Sequence, residues 1–284
     1  MSRESRKQTR QTGRTRSSRS SKRELPVRPV SEVQQHRSMV VYGRSGSGKT
    51  TFAGTFPKPL LLLDINDQGT DSISDVEKID VMQVEAWQDF ELAYWYLKEN
   101  PEDYKSLVID TMSQLQELAI KKILLEKFKD DEEAQSGWGS LSQREWGEVT
   151  SVMKTWITHY RNLPMEVVFI AQDRVFEVDE DLDPETMLDP EVGPRLAPSV
   201  TSHLNASVHA IGNTFIRRRI RQKEVKTRGT RKTKIKEIPE TQYCLRIGPD
   251  PVYTTKIRKP KGIKVPSVIV DPHYEDILEL IQGG

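Results

Sequence analysis

From residue 38 onward the chain alternates short, unbroken apolar runs with stretches in which apolar positions recur every three or four residues. The runs 39–42, 59–64, 80–84, 107–110 and 166–171 are continuous in apolar character, as strands covered on both faces are. Their alternation with helical stretches predicts βαβ units and a parallel sheet. Phe90, Ala93, Tyr94 and Leu97 fall at i, i+3, i+4 and i+7 and predict one helix face. A further helix is predicted to open at Ser142, where Glu145 completes a capping box, and to end at 162–164. Its stripe of Trp146, Val149, Met153, Trp156, Ile157 and Tyr160 has helical spacing, which assigns those aromatics to the core rather than to a cofactor cage.

Beyond Ala171 the text changes. Residues 173–192 are acidic and contain prolines, and are expected to form a long loop. Antiparallel strands are expected at 209–221, 232–238, 243–247 and 252–258, and a short amphipathic helix at 274–281. A helix is also expected at 49–56, directly after the first strand.

Charge changes this picture. The 284 residues carry 43 Lys+Arg and 42 Asp+Glu, yet the two signs are segregated. Residues 1–29 hold ten basic and two acidic side chains, and residues 214–236 hold eleven basic and one acidic, whereas 30–213 hold 16 basic and 32 acidic. Two basic blocks flanking an acidic body suggest a polyanionic partner. The Ser/Arg-rich start cannot bury enough apolar surface to offset its ordering entropy, so 1–33 is expected to be a disordered tail preceding one domain at 34–284. The single Cys244 excludes an intrachain disulfide and a cysteine zinc cage. The longest aliphatic run, 60–63, falls far short of the roughly 20 residues of a membrane helix. A soluble cytoplasmic protein with no membrane partner is expected.

The candidate chemistry centres on Gly43-Arg44-Ser45-Gly46-Ser47-Gly48-Lys49-Thr50, a complete G-x-x-x-x-G-K-[ST] phosphate loop between a predicted strand and a predicted helix. Its glycines let successive N–H groups converge on phosphate oxygens. Lys49 is expected to reach the β- and γ-phosphates of ATP, Thr50 to ligate Mg²⁺, and Thr51 to complete the phosphate contacts. The apolar strand 107–110 ends in Asp110, a candidate Mg²⁺ partner of Walker B type. The strand 166–171 is followed by Gln172, placed to sense a γ-phosphate or an attacking water. The block 214–236 reads as a hairpin with Gly229 near its tip. Arg217, Arg218, Arg219, Arg221, Lys223, Lys226, Arg228, Arg231, Lys232 and Lys234 would form a cationic ridge that tracks phosphates rather than reading bases. A solvated face balancing the acidic body is the bland alternative.

The runs VVYGRSGSGKTTFAGTFPKPLLLLD, SLVIDT, VVFIAQDR and YTTKIRKPKG, with the closing helix, resemble the RecA-like phage nucleotide-binding proteins, a group that includes single-strand-annealing recombinases. The resemblance runs from about Ser38 to the C-terminus. It implies a RecA-like P-loop NTPase fold: an α/β, mainly parallel sheet flanked by helices, with a C-terminal antiparallel basic β extension at about 207–264. Members of that group usually place an acid two residues after the Asp that ends the second strand. Here Asp64 ends the strand and Asn66 holds the acid's place, so Asp67 becomes the substitute catalytic candidate, with slow hydrolysis implied. The resemblance also implies that Lys256 and Arg258 reach the nucleotide of a neighbouring subunit. The function it implies is an ATP-binding recombination protein that binds or anneals single-stranded DNA as a homo-oligomeric ring or filament, with nucleotide state coupled to packing and a single-strand-binding protein as a possible partner. Its rivals are a helicase-like motor or loader ATPase and a P-loop nucleotide kinase.

Overall fold

The computed structural model describes residues 27, 29, 36–65, 69–127, 141–176, 191–226 and 233–283. Residues 1–35 separate from a compact unit His36–Gly284, and the expected tail 1–33 lies outside the described residues but for two positions. Asn66, Asp67, Arg228, Gly229, Arg231 and Lys232 lie outside them as well.

Among the described residues the unit is built on a nine-stranded sheet. Five parallel strands form its middle: β1 (Ser38–Tyr42), β2 (Leu60–Asp64), β3 (Ile79–Gln83), β4 (Ser106–Asp110) and β5 (Glu166–Ala171). Their order runs β1-β5-β4-β2-β3, and on the other side of β1 lies β8 (Ala210–Lys226), itself parallel to β1. β9 (Thr233–Arg246) and β11 (Val268–Val270) continue the sheet antiparallel, and β10 (Lys256–Ile257) pairs with the root of β8. The expected parallel sheet and antiparallel basic extension are both present, and the chain has the P-loop NTPase fold.

Burial explains why the strands read as unbroken apolar runs. Every residue of β1, β2, β4 and β5 is buried, because helices cover both faces. One face carries Val40, Tyr42, Leu61, Leu63 and Phe169 against α2 (Trp87–Glu99), α3 (Met112–Lys127), α4 (Gln143–Arg161) and α5 (Pro198–Ser207). The other carries Val41, Leu60, Leu62 and Ile170 against α1 (Lys49–Ala53) and α6 (Tyr274–Gln282). Each fully buried leucine of β2 contributes roughly 1.5–3 kcal/mol.

Several expectations are corrected. The helix after β1 stops at Ala53 rather than 56, where Gly54 caps it ahead of Pro57 and Pro59. Ser142 and Glu145 form the capping box as expected, but Trp146 is 39% exposed and leaves the core to Val149, Met153, Ile157 and Tyr160. The stretch 173–192 is not loop throughout: β6 (Asp173–Phe176) pairs with β7 (Glu191–Pro194), and 177–190 lies outside the described residues. The separate strands at 232–238 and 243–247 are one strand, β9, running through Pro239. That proline is tolerated because, among the described residues, this part of β9 has only β8 beside it. The strand at 252–258 contracts to β10. None of the helices among the described residues is long and apolar enough to cross a membrane.

Candidate functional site

Register brings the candidate residues to one end of the sheet. Tyr42 pairs with Ala171, Asp110 with Ile170, and Asp64 with Asp110, so the loop at 43–48, Gln172 and Asp110 all leave the C-terminal strand ends together. That end is where parallel sheets gather ligands.

The phosphate loop is braced from the root of β8. Ser47 Oγ lies 2.7 Å from Thr214 Oγ1 and donates to Arg44 O at 2.7 Å, while Thr214 Oγ1 donates to Tyr42 O. A Cβ on Gly43 would come within 2.4 Å of Thr214 O, so only glycine permits this approach. Gly48, at φ 89°, is the left-handed residue that caps α1, and a Cβ there would meet the Tyr243 ring. Lys49 is buried, with Nζ donating to Gly43 O and Arg44 O at 2.9 Å each. The amine therefore stands inside the curl of the loop. Thr50 Oγ1 donates to Asp110 Oδ2 at 2.7 Å. This hydroxyl–carboxylate pair beside a phosphate loop fits Mg²⁺, a hard cation that takes oxygen ligands and usually few from protein. Arg44 points outward and lies 3.9 Å from Asp173, an exposed contact of little energetic weight.

A cavity of about 510 Å³ opens beside the loop, within the size range of small-molecule sites. Ser45 to Thr51 line one side, which gathers seven of the nine proposed nucleotide contacts; Gly43 and Arg44 are not in its lining. The opposite wall was not anticipated: Tyr243 from β9, with Asp271, Pro272 and His273 from the turn into α6. Asp271 adopts φ 48°, a conformation that Asp tolerates better than most residues. Its N–H donates to Tyr243 O at 2.8 Å, and Tyr274 N–H donates to Thr55 Oγ1 at 2.9 Å, which fastens the wall to both β9 and the end of α1. An aromatic ring, an imidazole and a carboxylate opposite a phosphate loop offer stacking and hydrogen bonding to a nucleotide's base and ribose.

Gln172 does sit at the strand end, and its partner is another residue that sequence reasoning missed. Arg195, just after β7, donates from Nη1 to Gln172 Oε1 at 3.1 Å, and its backbone N–H donates to Gln172 O at 2.7 Å. Ser113 Oγ, in the first turn of α3, accepts from Gln172 N–H and donates to Arg195 O. The sensor candidate is thus tied to β4's helix and to the β6–β7 hairpin. Asp64 accepts from Gln83 Nε2 at 2.9 Å.

Lys256 and Arg258 stand away from this cavity. Lys256 Nζ donates to Asn205 O and Ala206 O, and Arg258 Nη2 to Ala206 O, so both cations cap the C-terminal carbonyls of α5 within their own chain. Burial, then the neighbouring Arg258, pushes the Lys256 amine below its ordinary pKa.

The basic residues form a long two-stranded ribbon from β8 and β9, paired from Asn213↔Arg246 out to Lys226↔Thr233. Arg217, Arg219 and Arg221 share one face and Arg218 stands on the other. Arg217 Nε donates to Gln242 Oε1, and Arg221 lies 3.6 Å from Glu240. Lys223, Lys226 and Lys234 are on the ribbon's strands, with side chains outside the described set.

Residues 35–258 match the protein family described as AAA domain. No curated protein matches the chain. Among solved structures, a KaiC-like protein from the hyperthermophilic archaeon Pyrococcus horikoshii aligns at 13% identity and a TM-score of 0.38, over 83% of this chain and 89% of that one.

Proposed function

Because this chain belongs to the AAA domain family, we propose that its P-loop ATPase domain couples ATP to the handling of single-stranded DNA, in the manner of the annealing recombinases its motifs resemble. The observation that carries the reading is Thr50, which lines a 510 Å³ cavity and is bonded to Asp110, with the Lys49 amine inside the loop beside it.

In this reading Lys49 exchanges its two carbonyl partners for phosphate oxygens, and the N–H groups of 45–50 take the remaining charge. P-loop ATPases generally use nucleotide with Mg²⁺, which neutralises charge on the phosphate oxygens; Thr50 and Asp110 are the residues that would hold it. Tyr243 and His273 orient the base. Gln172 reports the γ-phosphate end of the site to Arg195 and the β6–β7 hairpin through the bonds described above. The arginines of β8 neutralise DNA phosphates, and nucleotide state reaches them because Thr214, which braces the loop, lies on the same strand. Homo-oligomeric packing and the trans role of Lys256 and Arg258 belong to the same proposal. The latter needs both cations to leave α5 when a neighbour docks. The protein acts in the cytoplasm as an ATPase, and Asn66 in the usual acid's place implies slow turnover.

The test is steady-state ATP hydrolysis with and without single-stranded DNA, on the wild type and on Lys49→Ala. Stimulation by DNA that disappears in the variant supports the reading. Phosphate transfer to a nucleoside without DNA would replace it with the kinase, and processive unwinding would replace it with the motor.

A further inference from the structure

The β8–β9 ribbon has two unlike faces. Opposed residues of an antiparallel pair share a face, so Ile216, Ile220, Pro239 and Tyr243 stand on one side, and Arg217, Arg219 and Arg221 on the other. The first side is open, with Ile220 63% and Ile216 46% exposed and the Arg218–Thr241 pair between them. At the far end of the sheet β3 has no outer neighbour among the described residues. Between β3 and α2 runs a groove of about 360 Å³ lined by Val81, Met82, Leu92, Tyr96 and Tyr104, with Leu92 62% exposed. A single exposed leucine is ordinary, whereas a lined apolar groove along an open sheet edge is a contact surface or a hazard.

The charges around these two surfaces are opposite. Residues 71–103, which contain β3 and α2, carry ten acidic and two basic side chains, against one acidic and eleven basic in 214–236. Each surface therefore has the shape class and the charge that the other lacks.

We propose that the Ile216–Ile220 face of one copy's ribbon docks into the β3–α2 groove of a second copy. The proposal deepens the reading of the chain as a self-assembling ATPase and rests on it. The two surfaces are different patches of one chain, so the contact is heterologous and leaves each bound copy with a free groove or a free ribbon, which generates a ring or a filament. Apolar burial supplies the affinity; the opposed charges steer the encounter and select the partner. The arginine face of the ribbon stays open, so assembly lines up one cationic ridge per subunit for a polyanion to cross.

The test uses the full chain with Ile220→Glu, which places an acid against the acidic rim, and with Leu92→Arg, which places a cation against the cationic ribbon. Sedimentation velocity at tens of micromolar, with and without Mg·ATP, is expected to find an assembly for the wild type. Each variant alone is expected to be monomeric, with self-affinity lowered by about tenfold or more. An equimolar mixture of the two variants restores one intact groove and one intact ribbon, so it is expected to give a two-copy species that grows no further. A wild type that is monomeric in both conditions, variants that assemble like the wild type, or a mixture that stays monomeric each overturn the proposal. Deletion of 1–35 that dissolves an assembly which Ile220→Glu leaves intact would assign the groove to the tail instead. A chain with Ile220→Cys mixed with a chain with Leu92→Cys should cross-link as a heterodimer under mild oxidation, since Cys244 is buried; failure to do so counts equally against it. Calorimetry of Mg·ATP separates the two readings: normal nucleotide uptake without assembly sinks the docking alone, and assembly without uptake sinks the ATPase reading alone.

Discussion

The phosphate-loop end of the sheet and the distal β8–β9 ribbon are made from the same strand, yet they obey opposite rules. At the loop, Lys49, Asp110 and Thr214 are buried and hydrogen-bonded to Gly43, Thr50 and Tyr42 respectively within 3.3 Å, so the loop is braced before any ligand arrives. On the ribbon, Arg218, Arg219, Ile220 and Arg221 are exposed, and among the described residues this stretch of β8 pairs only with β9. Preorganised dipoles are worth most where water is excluded, whereas a charged ribbon in solvent acts through the number of its charges and is weakened by salt. Precise chemistry therefore belongs to the first region, and tolerant binding of a polyanion or a neighbour to the second.

The sharpest way to break this contrast is Lys49→Ala. Turnover should fall by about 10²–10³ or more, with little loss of fold, measured as ATPase rate beside a thermal melt. Replacing Arg217, Arg219 and Arg221 together by Ala should leave Mg·ATP affinity unchanged while the slope of log affinity for single-stranded DNA against log salt flattens by about two. An equal loss of nucleotide binding would mean that the two regions are not separable. Tyr243→Ala probes the point where they meet. Loss of its ring should weaken Mg·ATP by about tenfold in a direct titration, the scale of one aromatic–base stack.

The sequence made the loop legible because its chemistry is local: glycines, Lys49 and Thr50 must be consecutive to work, and a strand must precede them. Four of the five parallel strands, β1, β2, β4 and β5, were legible for a related reason, since burial on both faces leaves an unbroken apolar run, whereas β3 is half exposed. The base-side wall was not, because Asp271–His273 reaches the cavity only through the docking of α6 on Thr55, more than two hundred residues away in the chain. Arg195 on Gln172 is likewise a product of the β6–β7 pairing. Two helices went unread for different reasons. In α3 the buried residues Leu115, Leu118, Ala119, Ile120, Ile123 and Leu124 spread round the helix and blur the apolar stripe, whereas α5 is short and begins on Pro198. The groove beside β3 could not be anticipated from Leu92 and Tyr96 alone, which carry the same helical spacing as core residues of α2.

The smallest expected effect concerns pH. His209 accepts from the Ser38 N–H through Nδ1 at 3.1 Å, and burial, then Arg258, holds its pKa below the ordinary value. The unfolded histidine takes up a proton near pH 6.5 while the folded one resists, so stability is complete above that pH and declines as pH falls through the window below it. With the residue only partly buried, Tm should drop by about 2 °C or less between pH 7.5 and 5.5 beyond the drop seen in His209→Gln. Nucleotide affinity per folded molecule should not follow it, since the residue lies at the opposite end of β1 from the loop.

Isothermal titration calorimetry of the full chain with ATP, in the presence and absence of Mg²⁺, tests the central claim most directly. One nucleotide per chain, tighter with the metal and with that gain abolished by Asp110→Ala, is the predicted result. Heats indistinguishable from dilution, or an affinity indifferent to both the metal and Asp110, would contradict it.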